Sequence, residues 1–154
     1  MDLMGLMQVE STGGRRYIFV CVDDFSRYTW VKFLKEKSDT FNVFEKLCLR
    51  LKNEKSINIE KIVRIRSNGK EFENTIFSNF CNKHGIAHEF SAPKTPQQNG
   101  VVERKNRTLQ EMARVMLNSK KLSSRLWAET VNTACYTINR VYLRPGTIKT
   151  PYEI

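Results

Sequence analysis

Apolar residues recur every three or four positions in some stretches of the chain and nearly without interruption in others, and this contrast lays out the order of elements. Phe41, Phe44, Leu47, Cys48 and Leu51, with lysines and glutamates opposite, predict an amphipathic helix capped by Ser38. Ile76, Phe77, Phe80 and Cys81 share one face of a short predicted helix over Thr75 to His84, stopped by Gly85. A longer helix enters at Gly100 and carries Val102, Leu109, Met112, Ala113 and Met116 as its buried stripe. The last begins at Ser123, with Trp127, Val131, Ala134, Cys135, Ile138 and Tyr142 in line, and Arg144-Pro145-Gly146 ends it. The strand-like runs are DLMGLMQV at 2–9, YIFVCV at 17–22, YTWVKFL at 28–34, KIVRIRS at 61–67 and the short edge strand Ala87 to Phe90. DDFSR joins the second and third runs as a hairpin. This order predicts an α/β domain with a five-stranded mixed sheet, its first three strands antiparallel and helices on both faces.

Composition adds one strong bias. A chain of 154 residues with 40% apolar and 27% charged content suits one soluble domain, but its net charge is +10. A pI of about 9.6 points to a polyanion, and nucleic acid is the usual one. Charge alone confers affinity without choice of sequence. Cys21, Cys48, Cys81 and Cys135 lie far apart among apolar neighbours, which predicts reduced, buried thiols. Cys81, His84 and His88 are close in sequence, yet no second cysteine pair follows at zinc-finger spacing. No apolar run is long enough for a membrane span and no signal peptide is present, so an intracellular protein is expected, not a secreted one. Basic residues are too dispersed to read a nuclear address, and a nuclear location is left open.

Candidate chemistry concentrates in SAPKTPQQNGVVERKNRT, residues 91–108, a proline- and glutamine-rich loop running into the third helix. Glu103 stands off the buried stripe in the first turn, where the positive end of the helix dipole favours a carboxylate. Arg104, Lys105 and Arg107 around it, with Lys94 in the loop, suit phosphate and are the candidate DNA contacts. A solvated helix start with scattered charges is the bland alternative. Asp23 and Asp24 form an adjacent acidic pair, but at a strand-to-strand turn they are expected to bond the local backbone.

The segment PQQNGVVERKNRTLQEMAR is similar to the third-carboxylate segment of the integrase catalytic core in copia-type LTR retrotransposon Pol polyproteins. The resemblance continues through YIFVCVDDFSRYTWVKFLKEKSD, FCNKHGIAHEFSAP, WAETVNTACYTINR and TPYE, so it covers nearly the whole chain. It implies an RNase H-like fold of the retroviral integrase superfamily, in which three acids hold two Mg²⁺ or Mn²⁺ ions for DNA 3′-end processing and strand transfer. Asp2 and Glu103 correspond to the first and third acids, and are the implied catalytic and metal-binding residues. Leu6 replaces an expected proline, and Asp2 stands so near the chain start that it is expected to be poorly held. The chain reads as one core-like domain over residues 1–154, truncated at both ends relative to a full integrase.

The second acid is the departure that matters. The corresponding family sequence resembles SDNGxEF, whereas here Ser67 runs directly into Asn68, Gly69, Lys70, Glu71 and Phe72. An Asp inserted after Ser67 would be separated from Glu103 by residues 68–102, 35 in all, which is the family's characteristic gap. Ionised carboxylates hold Mg²⁺ where neutral amides hold it weakly, so metal binding here is expected to be poor. Glu71 is expected to bond a loop amide. The leading expectation is thus an integrase core with DNA as partner, inactive in this copy. The alternatives are a noncatalytic nucleic-acid-binding or homodimerising module, and a degenerate transposon fragment without function.

Overall fold

The computed structural model describes residues 1–55, 62–90 and 100–154. Among the described residues there are five strands: β1 (Asp2–Met4), β2 (Tyr17–Val22), β3 (Thr29–Leu34), β4 (Arg64–Ser67) and β5 (Ala87–Phe90). Four helices accompany them: α1 (Thr40–Lys55), α2 (Thr75–Lys83), α3 (Gly100–Ser119) and α4 (Trp127–Val141). The first three strands form an antiparallel ladder in the order β1-β2-β3, whereas β4 and β5 pair in parallel. The expected single five-stranded sheet is therefore two ladders, joined by one parallel bridge between Asp2 and Asn68. The Asn68 N–H donates to the Met1 carbonyl at 3.3 Å beside that bridge.

Strand alternation explains why helices cover both faces. Along β2, Ile18 and Val20 point one way and Phe19 the other, and all three are fully buried. Ile18 and Val20 pack with Val102, Leu109 and Ala113 of α3 and with Val131, Ala134 and Ile138 of α4. Phe19 joins Leu34, Phe44, Leu47, Phe72, Phe77 and Ile86 in a second core. Burying apolar area on both faces makes β2 the strand the domain is built on. A buried amide then fixes α4 to β3: Thr29 N donates to Asn139 Oδ1 at 2.9 Å, and Asn139 Nδ2 donates to the Thr29 carbonyl at 2.8 Å.

Several expected boundaries shift, each for a local reason. The first strand was expected to reach Val9 but stops at Met4. Gly5 adopts φ +141°, and a Cβ there would lie 2.6 Å from the Tyr17 ring and 2.8 Å from the Arg16 carbonyl, so the chain leaves the ladder where only glycine fits. Ser38 does not cap α1; it lies inside a 3₁₀ turn over Lys37–Asp39, and the Glu36 N–H donates to the Asp39 carboxylate instead. β4 starts at Arg64, later than expected, and Lys61 lies outside the described residues. Ile76 and Tyr142, placed on buried stripes by their spacing, are 59% and 51% exposed. Tyr142 already lies past the end of α4 at Val141. Cys48, Cys81 and Cys135 are buried thiols as expected, while Cys21 is only partly covered. No helix among the described residues is long and apolar enough to cross a membrane.

Candidate active site and nucleic-acid surface

Asp2 is held on two sides by strand pairing, opposite Val20 in the ladder and opposite Asn68 in the bridge. The expectation of a loosely held first acid is thereby corrected, since Met1 before it is itself buried. Asp2 Oδ1 accepts from the Leu3 N–H at 3.0 Å, and Oδ2 accepts from Asn106 Nδ2 at 2.6 Å. Burial pushes the Asp2 carboxyl above its ordinary range, and the charge of Glu71 pushes in the same direction against those hydrogen bonds.

The end of β4 presents no acid at the position opposite Asp2. Ser67 is fully buried, and its Oγ lies 2.8 Å from His88 Nε2 in the interior. Asn68 follows in the bridge, and Gly69 turns the chain at φ +114° into a 3₁₀ turn over Lys70–Phe72, anchored by the fully buried Phe72 ring. The Glu71 carboxylate folds back over Gly69, where a Cβ would meet its oxygens at 2.4 and 2.7 Å. It bonds no loop amide among the described residues; the Glu71 backbone carbonyl accepts from Asn74 Nδ2 at 3.0 Å instead.

α3 enters at Gly100, as its sequence predicts, and sets Glu103 half-buried in the first turn. Asn106 follows three residues later, one turn along the same side of the helix, so the residue that touches Asp2 is the neighbour of Glu103. Glu103, Arg104 and Arg107 line a groove of about 1080 Å³, together with Arg27 and Phe25 of the hairpin turn and Arg64 and Arg66 of β4. Lys105 takes another direction: it is partly buried beside Cys135 and Arg27, and burial pushes its pKa down. Burial likewise pushes the Cys135 thiol up to about 11. Two of the three cations expected around Glu103 thus line the groove, and Lys94 lies outside the described residues.

Of the two hairpin acids, Asp23 bonds the local backbone as expected, whereas the partner of Asp24 is a side chain. Asp23 Oδ2 accepts from the Ser26 N–H at 2.7 Å and from its hydroxyl at 2.6 Å, while Asp24 pairs with Arg27. His84 packs on Phe80 and His88 on Phe90, with ring centroids 4.6 and 4.3 Å apart. Sequence reasoning missed Arg27, Arg64 and Arg66, which are scattered along the chain and converge only through the fold. It also missed Asn106, for which the spacing from Glu103 is the one available signal.

Two divalent ions held side by side need several anionic oxygens in one place. Among the described residues, no three His, Cys, Asp or Glu side chains are grouped so as to hold a metal ion. Asp2, Glu71 and Glu103 therefore do not fit a two-metal pair.

A model of the integrase core domain family matches residues 1–96. The chain is similar to the retrovirus-related Pol polyprotein from transposon TNT 1-94 of Nicotiana tabacum, with 43% identity over 154 residues, 99% of the chain and 11% of that polyprotein. It is 34% identical over 141 residues to the Pol polyprotein from transposon RE2 of Arabidopsis thaliana, covering 90% of the chain and 9% of that polyprotein. The chain spans about a tenth of the length of these curated relatives. Among solved structures, the HTLV-2 integrase catalytic core domain in complex with magnesium, in its trimeric form, superposes with a TM-score of 0.68 at 21% identity, over 99% of this chain and 94% of that one. A chain of the simian T-cell lymphotropic virus intasome in complex with PP2A regulatory subunit B56 gamma gives 0.71 at 19% identity, over 99% of this chain and 52% of that one. The shared architecture is the RNase H-like fold of integrase catalytic cores.

Proposed function

Because the chain belongs to the integrase core domain family, we propose that it is a copia-type retrotransposon integrase core that keeps a DNA-contacting surface and has lost two-metal strand chemistry. The observation that carries this reading is the direct join of Ser67 to Asn68 at the bridge with Asp2. Where the family pattern has an aspartate, this chain has a buried serine bonded to His88, followed by a neutral amide. In two-metal phosphoryl transfer the ions activate the oxygen nucleophile and stabilise the leaving oxygen. Asp2 and Glu103 provide less countercharge for that than three acids.

DNA contact is supported by the groove beside Glu103, whose arginines belong to α3, the hairpin turn and β4. Guanidinium groups spread along a groove suit a phosphate backbone and confer little sequence preference. The net charge of +10 acts in the same direction over longer range. A homodimer is part of the proposal: Val141, Tyr142 and Leu143 form an exposed apolar run at the end of α4, 51–66% accessible. Fluorescence anisotropy with duplex DNA tests the binding reading and is expected to give weak, strongly salt-sensitive binding. Salt-independent binding, or none at low salt, would count against it. Sedimentation velocity tests the dimer, and a monomer at all concentrations would remove that element.

A further inference from the structure

We propose that the groove beside α3 takes single-stranded DNA in preference to duplex, with unpaired bases stacking on the Phe25 ring while the arginines hold the phosphates. The inference rests on the reading above for DNA as the ligand and goes beyond it in naming the form of DNA. Arginines by themselves serve duplex and single strand alike, because both present phosphates. The feature that separates the two forms is aromatic. Phe25, Tyr28 and Trp30 line the same groove as Arg27, Arg64, Arg66, Arg104 and Arg107. Tyr28 and Trp30 stand two residues apart on one side of the chain, with ring centroids 4.8 Å from each other. Base faces are hidden in a duplex and open in a single strand, so rings beside a phosphate track add affinity only for unpaired bases.

Phe25 is the ring a base can reach, since it is 71% exposed in the turn between β2 and β3. A lone exposed hydrophobic residue is common on protein surfaces, but this one is held in place from both sides. Arg144 Nε donates to the Phe25 carbonyl at 2.6 Å, and the guanidinium carbon lies 5.5 Å from the ring centroid. Arg144 is itself fixed in a turn, its N–H donating to the Lys149 carbonyl at 2.9 Å and its carbonyl accepting from the Thr147 N–H at 3.0 Å. Next to Phe25 in the chain, Ser26 is tied to the Asp23 carboxylate through both its N–H and its hydroxyl. A segment already ordered costs little further entropy on meeting a base. Along the described lining, five arginine side chains face three acidic ones, Asp23, Asp24 and Glu103, which favours a polyanion. Glu89 pairs with Arg64 at 2.8 Å and with Arg66 at 3.0 Å, aligning both guanidinium groups along β4.

The test compares a labelled oligothymidylate of about 12 nucleotides, a length within the site sizes of single-strand grooves, with the same strand paired to oligodeoxyadenylate. Anisotropy is measured in EDTA at one low salt concentration, for the whole unmodified chain, Phe25→Ala, Phe25→Trp and Ile76→Ala, an exposed apolar control on α2. The single strand is expected to bind about fivefold tighter than the duplex or better. Phe25→Ala should weaken single-strand binding about tenfold, the effect of losing one base–aromatic stack, and change duplex binding less than about twofold. Phe25→Trp should keep the preference, and Ile76→Ala should change neither form. Circular dichroism checks the fold of each variant. The chain's two tryptophans give a readout that needs no variant: Trp30 lines the groove and Trp127 is buried, so the single strand should quench tryptophan emission more than the duplex does. Duplex binding without a single-strand preference, equal losses for both forms in Phe25→Ala, or single-strand affinity unchanged by Phe25→Ala would overturn this inference alone. Binding of neither form at low salt would overturn the function proposed above as well.

Discussion

Asn106 Nδ2 donates to Asp2 Oδ2 at 2.6 Å across 104 residues of sequence, tying the first turns of α3 to the strand that starts the sheet. The bond holds a carboxylate whose burial would otherwise favour its neutral form. Asn106→Ala removes the donor and leaves a small void beside Val102 and Leu109. It is expected to destabilise the fold by about 1.5–3 kcal/mol, the range for a hydrogen bond to a charged group. Urea denaturation of the two proteins in EDTA measures the difference.

His88 provides a pH dependence with a defined sign. Burial holds its pKa below the ordinary 6.5, so the folded state binds the proton less tightly than the unfolded chain. Its contribution to stability is therefore present above pH 6.5 and is lost as pH falls through the lowered folded value. Thermal midpoints of the unmodified protein should fall in that window more than those of His88→Gln, which keeps a polar contact to Ser67 without titrating. Parallel curves for the two would contradict the assignment.

The amide clamp between α4 and β3 makes a larger prediction. Asn139→Ala strands the buried N–H of Thr29, at about 1–3 kcal/mol for an unsatisfied group, and leaves the Thr29 carbonyl with only the weak Cys135 thiol donor at 3.2 Å. A loss of about 2–4 kcal/mol is expected by chemical denaturation. Asn139→Asp should also destabilise, because it keeps the acceptor for the Thr29 N–H but removes the donor.

Much of this fold is legible in the sequence because its helices bury one face each. The stripes of α3 and α4 follow from spacing alone, and β2 reads as a strand because both of its faces are apolar. The early end of β1 is not legible: the sequence stays apolar through Leu6 and Met7, and only the tight approach of Gly5 to Tyr17 breaks the ladder. At the site, Asp2 and Glu103 are picked out by motif resemblance and the missing acid by the count of residues between Ser67 and Glu103. The Asp2–Asn106 bond could not be read, since it depends on how α3 docks against β1. The direction of the Glu71 side chain was equally hidden, being fixed by the positive φ of Gly69.

The groove and the remainder of α3 should separate in DNA binding. Replacing Arg104 and Arg107 together with Gln removes two groove-lining cations. Log affinity against log salt concentration should then lose about 0.9 of slope for each phosphate contact abolished. Lys105→Gln should change that slope little, because Lys105 is partly buried beside Cys135. Anisotropy titrations at several salt concentrations distinguish the two outcomes.

The central claim concerns one absent residue, and a nicking assay addresses it directly. Purified protein is incubated with labelled duplex DNA and Mn²⁺, as the unmodified chain and as a variant with Asp inserted between Ser67 and Asn68. No metal-dependent cleavage is expected from the unmodified chain, because Asp2 and Glu103 lack the third carboxylate needed for an ion pair. The insertion should raise Mn²⁺ affinity and produce nicking that Glu103→Gln abolishes. Nicking by the unmodified chain that depends on Glu103 would contradict the account.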